Sequence, residues 1–171
     1  AREEEIFLDI VKQINPKIVA ISLLSPYVLI AQRLTELVKK HTSAIVVWGG
    51  VGPTLSPADH IKLTDVVCVG EGEKAFEEFI LAVRDGKDYK NITNLWVKDG
   101  SKIIKNPQGP LIQALDNLPF AEYGNKNMYF INENKLQKED PELDHSILYL
   151  QSSRGCPYSC SFCVETMYHD M

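Results

Sequence analysis

The sequence lacks the features of most nucleic-acid-binding, membrane-spanning and secreted proteins. Its 171 residues include 18 Lys and Arg against 23 Asp and Glu, and the formal net charge is −5. An acidic chain without a basic cluster argues against nucleic acid or an anionic membrane as a partner, because phosphate groups bind through Lys and Arg. No apolar run approaches the ~18 residues of a membrane-spanning helix. No charged-then-apolar leader opens the chain, so we expect a cytoplasmic protein.

Cysteine is also scarce, and its distribution is uneven. Cys68 stands alone, whereas Cys156, Cys160 and Cys163 lie close together near the end of the chain. Such clustering favours a metal or cluster site over a disulfide framework. The chain begins inside an apparent helix and ends shortly after these cysteines, so we expect it to be a piece of a longer protein.

The chain does contain an alternation of short apolar runs and amphipathic segments. The apolar runs predict strands that are buried on both faces, at residues 18–24, 44–48 and 66–69. The amphipathic segments have apolar residues at helical spacing, at residues 2–14, 27–41 and 76–83. Buried strands that alternate with helices predict a Rossmann-like α/β fold, with a parallel sheet and helices on both faces.

The pattern changes after Gly86. Apolar residues on both sides of Asp99-Gly100 predict a β-hairpin. Residues 106–145 look irregular, and residues 147–150 predict a further strand that runs into the cysteine cluster. We therefore divide the chain into an α/β domain with a hairpin extension (1–105), a connector (106–145) and the start of a second domain (146–171).

The three clustered cysteines have the spacing C-x3-C-x2-C on a loop. Three thiolates can hold one soft metal centre, and a [4Fe–4S] cluster held by three cysteines leaves one iron open to a substrate or cofactor. The alternative is a structural zinc site in which His169 is the fourth ligand, although C-x3-C-x2-C-x5-H is not a usual zinc spacing.

The segment from Ser153 to Cys163, SRGCPYSCSFC, closely resembles the signature of radical S-adenosylmethionine (SAM) enzymes. The resemblance implies that Cys156, Cys160 and Cys163 hold a [4Fe–4S] cluster, that its open iron binds SAM, and that Phe162 packs near the adenine. It further implies reductive cleavage of SAM to a 5′-deoxyadenosyl radical that acts on a small-molecule substrate, with an electron donor such as flavodoxin or ferredoxin. In this family the motif follows the first strand of a barrel. The residues after 145 are too few for a barrel of on the order of 200 residues, so we expect this chain alone to be inactive.

Two glycine turns follow neighbouring predicted strands, at Gly49-Gly50-Val51-Gly52 and Gly70-Glu71-Gly72. The carboxyl ends of parallel strands are where open sheets bind ligands, and glycine lets the backbone approach a ligand closely. The second turn also fits the G-x-G-x-x-A spacing of dinucleotide-binding proteins. NAD is nevertheless disfavoured, because Glu71 and Glu73 would place negative charge beside a pyrophosphate.

A second resemblance concerns these turns. Ser22-Leu23-Leu24 followed by Gly49-Gly50 is similar to the S-x-L…GG part of cobalamin-binding domains. The resemblance implies that Ser22, Leu24, Gly49 and Gly50 line the slot for the nucleotide tail of cobalamin. The alternative for Ser22 is a hydroxyl that caps the next helix.

Both glycine turns also look like those of cobalamin-binding domains that precede a radical SAM barrel. This likeness adds five candidate cofactor contacts, Val51, Gly52, Gly70, Glu71 and Gly72. The family's D-x-H-x-x-G loop, whose histidine can ligate cobalt, does not occur in this sequence.

Together the two resemblances identify the chain as an N-terminal fragment of a cobalamin-binding-domain radical SAM enzyme. They imply methylation of an unactivated carbon, with oxidative cyclisation as in anaerobic magnesium-protoporphyrin monomethyl ester cyclase as the alternative. A methylthiotransferase would carry a second cysteine triad, whereas only Cys68 precedes Cys156. The alternative of another class is a zinc-stabilised interaction module. We assign no catalytic residue.

Overall fold

The computed structural model of the protein describes residues 2–119, 127–138, 153–164 and 166. The chain divides into two compact units, Ala1–Ile112 and Gln113–Met171. The strand predicted at residues 147–150, the boundary predicted at 145/146 and His169 lie outside the described residues. In the part of the chain that the structure describes, no helix has the length and apolar character needed to cross a membrane.

The first unit alternates helices and strands, as the sequence predicts. Its helices are α1 (Arg2–Ile14), α2 (Val28–His41), α3 (Val51–Leu55), α4 (Pro57–His60) and α5 (Glu73–Asp85). Its strands are β1 (Ile18–Ser22), β2 (Ile45–Gly49), β3 (Val66–Cys68), β4 (Leu95–Asp99) and β5 (Lys102–Lys105). A single 3-10 turn at Ser25–Tyr27 precedes α2.

These strands form one sheet in the order β1-β2-β3-β4-β5. Strands β1, β2 and β3 are parallel, whereas β4 is antiparallel to both β3 and β5. The predicted hairpin is confirmed, and its two-residue turn is Gly100-Ser101 because Asp99 pairs with Lys102. The hairpin joins the edge of the parallel sheet and makes the sheet mixed.

Helices cover both faces of the sheet, which confirms the predicted layering. On one face, Val46 and Trp48 of β2 pack with residues of α1 and α2. On the other face, Val47 packs with Ala75 and Phe79 of α5. Alternate residues of one strand therefore enter two separate cores, as the period of two in a strand requires.

The prediction for β1 is wrong in two respects. The strand ends at Ser22 rather than Leu24, and it is not buried on both faces, because Ala20 and Ser22 are exposed. Within the described residues β1 is an edge strand that pairs only with β2. Its apolar composition indicates a buried strand, but burial depends on neighbours that the sequence pattern alone does not reveal.

Two further differences concern segments that the sequence analysis described as turns or as irregular. Part of the first glycine turn is helical, since α3 begins at Val51. The predicted connector contains a second hairpin, β6 (Phe130–Asn132) with β7 (Lys135–Gln137). Its turn residues Glu133 and Asn134 have φ angles of 49° and 60°. Two successive positive φ angles are the geometry of a type I′ hairpin turn, for which asparagine is suited.

Candidate cofactor site

The predicted cofactor residues of the first unit lie at one edge of its sheet. Ser22 ends β1, Gly49 ends β2, and these two residues are direct partners in the parallel register. Gly70 follows β3 closely and has a φ angle of 77°. The structure therefore brings both glycine turns to the carboxyl ends of the three parallel strands, where open α/β sheets bind ligands.

The first turn packs tightly against the loop that follows β1. The Leu23 N–H donates to the Gly49 carbonyl at 3.0 Å, and the Gly52 N–H donates to the Leu23 carbonyl at 3.1 Å. A Cβ atom on Gly50 would lie 3.0 Å from both the Leu23 carbonyl oxygen and Ser22 Oγ. Gly50 also has φ 92° and ψ −170°, a backbone region that is essentially restricted to glycine. The backbone conformation and the contacts to Ser22 and Leu23 therefore require glycine at residue 50, whether or not a ligand binds there.

Thr54 links the two glycine turns, and the sequence analysis missed this role. Its side chain is buried, with 4% of the residue exposed. Its hydroxyl donates to the Gly50 carbonyl at 2.9 Å and accepts the Gly70 N–H at 3.0 Å. The available signal was a hydroxyl residue two positions after the first glycine turn.

The second glycine turn also contacts Asn94, Gln108 and Ile112. The Glu71 carbonyl accepts the Asn94 side-chain amide at 2.9 Å, and the Glu71 carboxylate accepts the Ile112 N–H. A Cβ atom on Gly70 would lie 2.6 Å from Gln108 Nε2, so the Gln108 side chain would have to move, and the φ angle of 77° also favours glycine at residue 70. Asn94 and Gln108 were also missed, because they contact the turn only through the tertiary fold.

The predicted contacts of this unit differ in exposure: Gly52 is buried, and Gly49 and Gly72 are half-buried. Ser22 and Gly50 are exposed, Leu24 is 51% exposed, and Val51 is half-buried. The alternative that Ser22 caps the next helix is wrong, because neither the 3-10 turn nor α2 has a side-chain cap hydrogen bond. A small exposed hydroxyl beside Gly50 leaves space for a ligand at the end of β1.

Cys68 belongs to the core of the first unit. It is the last residue of β3 and is 6% exposed. Burial, with a smaller contribution from the negative charge of Glu73, raises the pKa of the Cys68 thiol to about 11. The thiol is therefore protonated at neutral pH and is a poor metal ligand, because metals bind the thiolate.

The second unit holds the three clustered cysteines on an open loop. Gly155, with φ 84°, precedes Cys156, which is half-buried like Cys163, whereas Cys160 is exposed. The Cys163 N–H donates to the Cys160 carbonyl at 3.0 Å, so a turn connects these two residues. Phe162 is 91% exposed. Among the described residues, no three His, Cys, Asp or Glu side chains are grouped closely enough to hold a metal ion, so the ligand set stays a prediction.

The chain is similar to a B12-binding family and to cobalamin-dependent radical SAM methyltransferases. Residues 1–80 match the family described as B12 binding domain. The uncharacterized methyltransferase PH0819 of Pyrococcus horikoshii is 29% identical over 92% of this chain and 33% of its own length. The cobalamin-dependent radical SAM methyltransferase TokK of Streptomyces tokunonensis is 29% identical over 77% of this chain and 19% of its own.

Two further proteins complete the comparison. The anaerobic magnesium-protoporphyrin IX monomethyl ester cyclase of Synechocystis is 27% identical over 77% of this chain and 25% of its own. The structure of TsrM from Kitasatospora setae, a radical SAM methyltransferase with cobalamin and a [4Fe–4S] cluster bound, has a TM-score of 0.56 and 20% identity, over 70% of this chain and 23% of that one. The chain spans a third or less of the length of each of these relatives.

Proposed function

We propose that the protein binds cobalamin at the carboxyl edge of β1, β2 and β3, and the match of residues 1–80 to the B12-binding domain family supports this. The observation that carries this proposal is the close approach of the turn after β2 to the loop after β1. Gly50, which admits no side chain, and the exposed Ser22 hydroxyl lie side by side there. Such a surface of backbone and one small polar side chain suits the nucleotide tail of the cofactor, which needs close approach and hydrogen bonds.

The cobalt itself has no proposed ligand in this chain. His60 is the one histidine that lies in a core position within the described residues, and its Nδ1 is 2.7 Å from the carbonyl of Ser56, which precedes α4. It is 6% exposed, and its ring is tilted by 59° against that of Trp48, with 5.8 Å between the ring centroids. We therefore propose contacts to the tail of cobalamin from this chain and none to its metal.

For the second unit we propose a [4Fe–4S] cluster on Cys156, Cys160 and Cys163. Their donor set fits, because soft thiolates are the usual ligands of iron–sulfur clusters. None of the three is in a disulfide within the described residues, so each can supply a thiolate. When bound, the cluster would supply an electron to SAM and a coordination position for it, and Phe162 is the proposed contact to the adenine.

We propose methylation of a carbon atom as the reaction of the whole protein, with a small-molecule substrate and an electron donor such as flavodoxin or ferredoxin. Similarity to TokK and to PH0819, over 77% and 92% of this chain, supports a methyltransferase. The second candidate is oxidative cyclisation, which the similarity to the Synechocystis cyclase favours at 27% identity. The chain spans a third or less of the length of these relatives, and we propose that it is inactive by itself.

Cobalamin binding is tested by adding hydroxocobalamin to the protein at its full natural length. We expect a bound cofactor after gel filtration, visible in the absorbance spectrum. Ser22→Leu should weaken binding by roughly tenfold or more, about 1.4 kcal/mol, because a large side chain would fill the space beside Gly50. The matched control is Ser43→Leu, which places the same side chain at an exposed residue before β2, at the opposite edge of the sheet. Equal binding by both variants would refute the assigned site.

The cluster is tested by anaerobic reconstitution with iron and sulfide, reduction, and electron paramagnetic resonance with and without SAM. We expect a signal of a reduced cluster that SAM perturbs and that Cys160→Ala abolishes. Cys68→Ala is the control and should keep the signal, since Cys68 lies in the core of the first unit. One tightly bound zinc per chain and no iron signal would instead establish the zinc-stabilised module.

A further inference from the structure

Residues 106–112, here called the exit segment, pass over the second glycine turn before the first unit ends. The segment follows β5, and its last residue, Ile112, is also the last residue of the first unit. Ile112 donates its N–H to the Glu71 carboxylate. The position at which the chain leaves this unit is thus fixed to the turn at the carboxyl end of β3.

Asn94 is the centre of these contacts and uses both its backbone and its side chain. Its backbone N–H donates to the Pro107 carbonyl at 3.0 Å, and its carbonyl accepts the Val69 N–H at 2.8 Å. Its side-chain amide donates to the Glu71 carbonyl at 2.9 Å, and its side-chain oxygen accepts the Gly109 N–H at 2.5 Å. Its φ angle of 69° is a conformation that asparagine tolerates better than most residues. One residue therefore joins the end of β3, the glycine turn and the exit segment.

The fit between the exit segment and the turn is incomplete at one point. Gln108 Nε2 is buried against Gly70, and within the described residues it has no hydrogen-bond partner. An unpaired buried donor costs free energy. The hydrogen bonds that Asn94 and Glu71 make to the segment must offset this cost to keep the segment in place. Loss of the Asn94 contacts should therefore release the segment.

The contacts of Asn94 continue to the first glycine turn. Gly70, next to Glu71, donates its N–H to the Thr54 hydroxyl, and that hydroxyl donates to the Gly50 carbonyl. A short series of hydrogen bonds thus leads from Gly50, beside the proposed cofactor site, to Gly109 in the exit segment. A ligand that immobilises the first turn would reduce the motion of every group in this series.

We propose that Asn94 is a positioning residue that couples cobalamin binding to the ordering of the exit segment. The inference rests on the proposed cobalamin site and goes beyond it, because it assigns a role to a residue that does not line that site. By linkage, a ligand that stabilises the exit segment must bind less tightly when the segment is released. The coupling thus acts in both directions.

The test is hydrogen–deuterium exchange of the protein at its full natural length, with and without hydroxocobalamin. Asn94→Gly keeps the positive φ angle accessible and removes both side-chain hydrogen bonds. Asn94→Asp keeps the acceptor for the Gly109 N–H and loses the donor to Glu71. The control is Asn91→Gly, at an exposed residue three positions away. Peptides of β2 and α2 report whether each variant is folded.

In the unaltered protein and in Asn91→Gly, we expect cobalamin to slow exchange of residues 106–112. In Asn94→Gly the segment should exchange faster without ligand, cobalamin should no longer protect it, and cobalamin affinity should fall by roughly fivefold. Asn94→Asp should lie between the two. Protection of the segment in Asn94→Gly equal to that in the unaltered protein would overturn the coupling. Binding of cobalamin without protection of the segment refutes the coupling alone, whereas no binding at all refutes the proposed function and the coupling with it.

Discussion

The glycine turns of the first unit and the cysteine loop of the second are both predicted cofactor sites, but they differ in construction. The turns are held by backbone hydrogen bonds and by the buried Thr54 hydroxyl, and Gly50 leaves no space for a side chain. Among its described residues, the cysteine loop has local hydrogen bonds, from Cys163 and Thr166 to the Cys160 carbonyl and from Thr166 to the Cys163 carbonyl, and Phe162 is almost fully exposed. The fold itself forms the first site. In the second site, the described cysteine side chains are not grouped closely enough to hold a metal ion.

This difference follows from what each ligand requires. A nucleotide tail is recognised by shape and backbone groups, so the protein must provide a rigid surface before the ligand arrives. A metal cluster makes strong bonds to thiolates, and such bonds can order a loop when the metal binds. Substitutions at the glycine turns should therefore affect folding, and changes at the cysteine loop should affect chemistry alone.

The largest expected effect is a difference in thiol reactivity between Cys160 and Cys68. The exposed Cys160 should react with iodoacetamide far faster than Cys68, whose pKa is raised to about 11 by burial. The rise of the Cys68 pKa from 9.0 to about 11 lowers the thiolate fraction of this residue by on the order of a hundredfold at neutral pH, and burial slows its reaction further. Alkylation of metal-free, reduced protein, followed by mass spectrometry, measures both rates. Equal alkylation rates would contradict the burial of the Cys68 thiol.

Replacement of Gly50 should destabilise the first unit more than replacement of any open glycine. Gly50→Ala places a Cβ 3.0 Å from the Leu23 carbonyl in a backbone region restricted to glycine, and should cost about 3 kcal/mol. The control is Gly100→Ala in the hairpin turn, where φ is 60° and no atom lies within 4 Å of the added Cβ. There we expect about 1 kcal/mol. Urea unfolding measures both, and a cost at Gly50 no larger than that at Gly100 would contradict the close packing.

Removal of the Thr54 hydroxyl should have an intermediate effect. Thr54→Val keeps the shape of the side chain but leaves the Gly50 carbonyl and the Gly70 N–H without this partner, so it should cost about 2 kcal/mol. Thr54→Ser keeps the hydroxyl and should retain most of any cobalamin binding that Thr54→Val loses. If Thr54→Ser were the more damaging change in both urea unfolding and cobalamin binding, the methyl group rather than the hydroxyl would link the turns.

The smallest expected effect is a loss of stability at alkaline pH that depends on Cys68. Burial raises the pKa of this thiol from 9.0 to about 11, so the folded state disfavours the thiolate. The thiol's contribution to stability is therefore complete below pH 9 and is lost as the pH rises towards 11. Between pH 9 and pH 10 the unaltered protein should lose about 1 kcal/mol more than Cys68→Ala. Urea unfolding of both proteins at these two pH values gives the difference, and parallel losses would show that Cys68 is not the responsible group.

The sequence predicted the alternation of elements well, because local signals mark it. Apolar residues at helical spacing over residues 2–14 predicted α1 correctly at Arg2–Ile14. The two glycine turns were likewise predicted correctly at the ends of parallel strands. These features depend on residues that are close in the chain.

Features that depend on distant residues could not be predicted. Asn94 lies 23 residues from Glu71, and Ile112 lies 41 residues from it, so neither contact leaves a local pattern. The exposure of β1 could not be predicted for the same reason, because an apolar sequence does not show whether its strand lies at the edge or in the middle of a sheet. The β6–β7 hairpin was missed for another reason, since its turn is Glu-Asn rather than the expected Asn-Gly or Asp-Gly.

The hairpin of β4 and β5 also determines the edge of the sheet at which residues 106–112 begin. Strand β4 begins beside Cys68, at the carboxyl ends of the parallel strands, and runs towards their amino ends. Strand β5 runs back, so that Lys105 pairs with Trp96. An even number of added strands returns the chain to the edge of the glycine turns, whereas a single strand would have delivered it to the other edge. The number of strands in the hairpin, rather than the sequence of its tip, therefore determines the edge to which the chain returns. That tip is consequently a position for a fluorescent label or an inserted tag, at the edge of the sheet remote from both cofactor turns.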